Sequence, residues 1–121
     1  VNSEAKNVSI VATTLQSVFT LKIDEMIAAI NALDDSVFKR RADKKRFKFT
    51  RRVSRVLKKV NKGKFDRARR ILEDRILPKI DGCLNKGGPE KRDWIIDCTI
   101  QQDLQTKANE LLDLVNQMNT N

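Results

Sequence analysis

Seven residues with chemical potential fall between positions 81 and 98 of a 121-residue chain: Asp81, Cys83, Glu90, Asp93, Trp94, Asp97 and Cys98. Cys83 and Cys98 lack both a His partner, since the chain contains none, and Cys-x-x-Cys spacing, so catalytic thiol chemistry is disfavoured. The pair is expected to form a disulfide that anchors a loop to the start of the last helix, a closure worth roughly 3 kcal/mol. Two buried, reduced thiols are the alternative. Asp93 and Asp97 are placed one helical turn apart at a helix start, where carboxylates cap free amides and meet the helix dipole. With Asp81 and Glu90 they could gather a Ca²⁺, but the D-x-D-x-D-G spacing is absent and Lys79, Lys86, Lys91 and Arg92 offer partners enough. No metal and no cofactor is expected. Trp94, the only tryptophan, reads as a plug packed over the bridge. The missing His also removes the commonest general base, and Gly63-Lys64 follows no glycine-rich loop, so neither hydrolytic nor phosphate-loop chemistry stands out. An enzyme is not expected.

Charge is the second signal. The chain carries 25 Lys or Arg against 16 Asp or Glu, a net +9. Between positions 39 and 75 stand 18 basic residues and four acids, a net +14, while the remainder is net −5. Such density attracts nucleic acid, acidic polysaccharide or anionic headgroups. The candidate polyanion-binding residues are Lys48, Arg51, Arg52, Arg55, Lys58, Lys59 and Lys62. The competing reading is a solvated face balanced by acids on neighbouring helices. Phe47 and Phe49 can both be consumed by the core, which leaves no stacking platform, so nucleic acid would be met mostly through phosphates. No zinc-finger or RNA-recognition signature is present, and the apolar stripe lacks the Trp of a membrane-surface helix.

These residues need helices to position them. From Val8 to Leu33 apolar residues recur at three- and four-residue steps, which predicts one long helix, either unbroken or broken near Thr20. Asp34-Asp35-Ser36 offers turn and capping chemistry, and a second helix begins between Val37 and Asp43. Its inward stripe is Phe49, Val53, Val56, Leu57 and Val60, and Gly63 ends it. A third helix from about Lys64 turns Phe65, Ala68, Leu72, Ile76 and Ile80 inward until Pro78 kinks or stops it. A loop over 81–89, ordered in part, leads to a last helix starting after Gly88-Pro89. Trp94, Cys98, Gln101, Gln105, Ala108, Leu112 and Val115 form its seam. Short connections favour antiparallel neighbours, so the expected fold is all-α: one domain over 1–121, an up-and-down bundle of about four helices, with 1–7 as a flexible tail. No apolar run approaches the roughly 18 residues of a membrane span. The start at Val1, without signal-peptide features, reads as a processed chain or part of a larger protein. Asn7-Val8-Ser9 is a formal glycosylation sequon.

The run Asp81-Gly82-Cys83, then Gly88-Pro89-Glu90-Lys91-Arg92-Asp93-Trp94-Ile95-Ile96-Asp97-Cys98-Thr99-Ile100-Gln101, resembles the FIMAH-type domains, small helical modules at the ends of larger bacterial and archaeal secreted proteins. Upstream, Gly63-Lys64-Phe65, Ala68 and Leu72-Glu73 extend the likeness, which covers roughly residues 20–115. The resemblance implies an extracellular, non-catalytic module bridged through Cys83 and Cys98. The basic 39–75 region is not part of that pattern. The expected function is therefore a secreted or cell-surface accessory module, contacting an acidic polysaccharide or other polyanion through its basic helix. The alternative is an intracellular nucleic-acid-binding protein with reduced cysteines.

Overall fold

The computed structural model describes the backbone of residues 3–120 and the side chains of 14–120. The tail expected over 1–7 and the sequon at Asn7 lie outside the residues whose side chains are described. The fold is all-α, with five helices among the described residues: α1 (Ser3–Asn31), α2 (Ala42–Asn61), α3 (Phe65–Arg70), α4 (Gly82–Lys86) and α5 (Cys98–Thr120).

In α1 the three- and four-residue spacing of Phe19, Ile23, Met26 and Ile30 lays all four in the core. Of the two readings, the unbroken helix is the one observed. The Thr20 hydroxyl donates back to the Gln16 carbonyl at 3.0 Å, within an unbroken helix. Beyond α1, the Asp34 carboxylate accepts from the Ser36 amide at 2.9 Å and caps a 3₁₀ turn over Asp35–Val37, one turn ahead of α2. Arg46 clasps this corner. Its guanidinium donates to the Leu33 carbonyl at 2.7 Å and to Asp35 at 2.8 Å, and it lies 4.9 Å over the Phe38 ring.

α2 buries Phe49, Val53, Val56 and Val60, with Leu57 half-buried beside them. Burying each large apolar side chain contributes about 1.5–3 kcal/mol, which outweighs the modest helix propensity of the three valines. Gly63, at φ +73°, ends the helix: the Gly63 amide donates to the Val60 carbonyl at 2.9 Å and the Lys64 amide to the Lys59 carbonyl at 2.8 Å.

The third helix is more broken than its spacing predicts. α3 passes into a π-helical turn over Ile71–Ile76 and then a 3₁₀ turn over Leu77–Lys79 that contains Pro78. Proline has no amide to donate and crowds the carbonyl four residues back, so a regular helix cannot run through it. Ala68, Leu72, Ile76 and Ile80 nevertheless all reach the core, and Phe65 packs half-buried against it.

The largest departure is at the last helix, which starts at Cys98 and not after Pro89. Residues 94–96 run beside residues 37–39. The Lys39 amide donates to the Trp94 carbonyl at 3.0 Å, the Ile96 amide to the Val37 carbonyl at 2.8 Å, and Phe38 and Ile95 form an antiparallel bridge. That pairing, with Phe38 and Ile95 both buried, takes this backbone away from helix. The expected loop over 81–89 also carries α4, whose Cys83 is joined to Cys98 at the start of α5 with a Cα separation of 5.5 Å.

The long helices alternate in direction. The end of α1 meets the start of α2 through Arg46, and Gln16 reaches Asn61 at the far end of α2. The end of the third segment meets the start of α5, where Gln105 donates to the Ile80 carbonyl. The up-and-down order places α2 and α5 on either side of α3, with α1 packed against both α2 and α5.

Candidate polyanion interface

The outward side of α2 carries the predicted cations. Lys48, Arg51, Arg55, Lys58 and Lys62 are exposed, while Arg52 and Lys59 are half-buried. Among the described residues only two of the 18 basic residues in 39–75 have a carboxylate within 4.0 Å: Arg46 with Asp35 and Asp43, and Arg69 with Asp66. None of Lys48, Arg51, Arg52, Arg55, Lys58, Lys59 and Lys62 has a carboxylate within 4.0 Å among the described residues. Burial, then the charges of Lys64, Arg67, Lys62 and Arg55, push the Lys59 ammonium pKa below its ordinary value. Lys45 is lowered in the same way by burial, then by Lys39, Arg40, Arg41 and Lys48. Burial leads both shifts, and the surrounding cations add to them.

Phe47 and Phe49 part company. Phe49 is buried, whereas Phe47 is 64% exposed, so the expectation that the core would consume both is corrected. Two residues along a helix is about 200° of rotation, so Phe47 cannot share the inward stripe of Phe49, Val53 and Val56. It stands instead beside Lys44 and Arg51, one turn away on either side, with Asp43 and Thr50 as its other neighbours on that face.

Trp94 lies in the connection before α5 and not on a helix beside Gln101. Its ring meets Phe49 edge-on at 5.8 Å and lies under the Arg52 guanidinium at 4.5 Å and the Lys79 ammonium at 5.4 Å. Arg52 also donates to the Arg75 carbonyl at 2.7 Å. Burial and then Arg75 and Arg55 lower the Arg52 pKa; burial and then Arg52 and Arg92 lower that of Lys79, with Asp93 acting in the opposite sense. From the sequence, Lys79 and Arg92 stood out only as partners for the nearby acids, and Arg75 not at all. They come from segments remote from α2, and only the lone Trp94 marked the place.

The acidic residues separate into two roles. Asp97 caps α5, accepting from the Ile100 amide at 3.1 Å. Asp93 is buried and does not cap α5: it accepts from the Glu90 amide at 2.7 Å, the amide of Gly82 at the start of α4 at 3.4 Å and the Gln101 carboxamide at 2.9 Å. Asp81, Glu90 and Asp93 bring one carboxylate oxygen each within 4.8 Å of one another, a donor set that a hard cation could use. Glu90 also reaches Lys86 at 3.5 Å and Arg92 at 3.9 Å. Burial, then the negative charges of Asp93 and Glu90, push the Asp81 carboxyl above its ordinary range, and its buried Oδ1 accepts no hydrogen bond. A hollow beside the disulfide, lined by Cys83, Leu84, Cys98, Gln102 and Thr106 among others, holds no acid or base.

No helix among the described residues is long and apolar enough to cross a membrane. The disulfide and this absence are compatible with an extracellular location. Compared with models of protein families, with curated proteins and with solved structures, the chain matches none of them.

Proposed function

We propose that this chain is a non-catalytic binding module of secreted or cell-surface proteins, which holds an acidic polysaccharide against the basic face of α2. The observation that carries the reading is the lack of counter-charge: 16 of the 18 cations in 39–75 have no carboxylate within 4.0 Å among the described residues. A face of unpaired cations raises the local concentration of a polyanion and speeds its encounter. The Cys83–Cys98 bridge favours an oxidising compartment, where the abundant polyanions are carboxylated and sulfated glycans. The resemblance to FIMAH-type domains supports the same placement. Phe47 adds an apolar surface on which a sugar ring can rest.

The test is binding of the unreduced chain to heparin, polygalacturonate, duplex DNA and single-stranded RNA, each across a salt series. Retention of a glycan at physiological salt, above both nucleic acids, is the expected result. Equal, weak binding to all four that vanishes with salt would reduce the face to a solvated surface. A preference for either nucleic acid would put the alternative reading in its place.

A further inference from the structure

One end of the basic face differs in kind from the rest. Along most of α2 the cations are exposed side chains, but at Trp94 two cations from different elements share one indole. An aromatic face attracts cations without neutralising them, so it orders both and leaves their charge available. One Arg52 N–H is held by the Arg75 carbonyl at 2.7 Å, so the guanidinium is tied both to the ring and to the segment after α3, with further donors left over. Trp94 is itself fixed. Its amide donates to the Lys79 carbonyl at 2.9 Å, its carbonyl accepts from Lys39 at 3.0 Å, and Phe49 meets its ring edge-on.

The cations around this ring repel one another. Arg52 and Lys79 have no carboxylate partner within 4.0 Å among the described residues, and Arg92 meets Glu90 only at 3.9 Å. Asp93, the one acid that favours the Lys79 charge, already has its oxygens engaged by the Gly82 and Glu90 amides and by Gln101. Repulsion held in place by the fold is relieved by a bound anion. Donors arriving from α2, from the turns after α3 and from the connection before α5 suit a tetrahedral oxyanion, which accepts in several directions, better than a planar carboxylate.

We propose that Arg52 and Lys79, seated on Trp94 and flanked by Lys48, Arg75 and Arg92, form a subsite for one sulfate group of a sulfated polysaccharide. The proposal rests on the polysaccharide reading above and names the glycan's charged group.

Trp94 is the only tryptophan in the chain, so its emission reports this subsite alone. The full, unreduced chain is titrated with a heparin hexasaccharide at physiological salt, following Trp emission and affinity. The variants are Lys79→Gln, Arg52→Gln and Arg52→Lys, with Arg51→Gln and Arg55→Gln as controls that remove the same charge elsewhere on α2. Lys79 is the primary variant because its ammonium donates no hydrogen bond among the described residues, and Gln keeps most of the half-buried stem beside Trp94 while removing the charge. Saturation is expected to shift the Trp94 emission, and Lys79→Gln and Arg52→Gln are each expected to weaken binding by roughly tenfold, the worth of a charged hydrogen bond. The Arg51 and Arg55 variants should lose no more than about fivefold, as exposed charges do, and Arg52→Lys should recover only part of the loss. Equal losses at all four positions with a silent Trp94 would overturn the subsite and leave the polysaccharide reading standing. Failure of the parent chain to bind the hexasaccharide, or tighter binding of duplex DNA at the same salt, would overturn both.

Discussion

The Gln101 carboxamide and the Asp93 carboxylate meet at 2.9 Å, both closed off from solvent. Gln101 also donates to the Ile95 carbonyl at 2.6 Å and accepts from the Cys83 amide at 3.1 Å. One side chain of α5 therefore fixes α4, the buried carboxylate and the extended segment that carries Trp94. Because the polar atoms of this pair are mutually satisfied, two buried polar residues become a device that orders a segment with little apolar surface of its own.

Replacing Asp93 with Ala leaves the Glu90 amide, the Gly82 amide and the Gln101 carboxamide without their acceptor. Buried donors left unpaired cost about 1–3 kcal/mol each, so a loss on the order of 3 kcal/mol is expected after partial relief by water. Urea denaturation measures it, and a loss below about 1 kcal/mol would mean that the knot contributes no such order. Gly82→Ala should be damaging for a related reason, since a Cβ there would collide with the Asp93 carboxylate and the Glu90 amide.

The disulfide closes a segment of 15 residues in sequence separation that contains Asp93 and Trp94. A Cys83→Ser, Cys98→Ser double variant is expected to lose roughly 3 kcal/mol of stability on the chain-entropy estimate. Thiol titration of the unreduced, denatured parent should detect no free thiol; two titratable thiols would refute the bridge.

Asp81 should make the fold sensitive to pH. Its folded pKa is raised by burial and by Asp93 and Glu90, so its contribution to stability is full below the unfolded value near 4 and is lost as pH rises through the raised folded value. Asp81→Asn removes that penalty. The variant is expected to melt above the parent at pH 7, with the difference closing as the pH falls towards 3. Parallel melting curves across that range would contradict the sign.

The regular parts of this molecule were legible because their information is local. The stripe of α2 from Phe49 to Val60 and the glycine at 63 can be read from spacing and residue type alone, and both stand where the sequence places them. The exposure of Phe47 was legible too, from its 200° offset to Phe49, although composition alone hides it. Residues 89–97 were not. Pro89 and the spacing of Trp94, Cys98 and Gln101 suit a helix start, and what overrides them is remote: Val37 and Lys39 claim the backbone, and Asp93 needs donors from α4 and α5. The cluster around Trp94 inherits this difficulty, since Lys79 meets the ring beside Arg52, and Arg92 comes near Lys79, only through that non-local path.

Phe47 separates charge from contact on the basic face. At 64% exposure it supports little of the core, so Phe47→Ala should leave stability within about 0.5 kcal/mol of the parent in a thermal melt. If a sugar ring rests against it between Lys44 and Arg51, the same substitution weakens heparin binding about fivefold, the worth of roughly 1 kcal/mol of apolar contact. That component should persist when salt is raised, because apolar contact is not screened as charge is. Affinity unchanged by the substitution at every salt concentration would mean that α2 acts on the glycan through its cations alone, with the exposed phenyl ring taking no part.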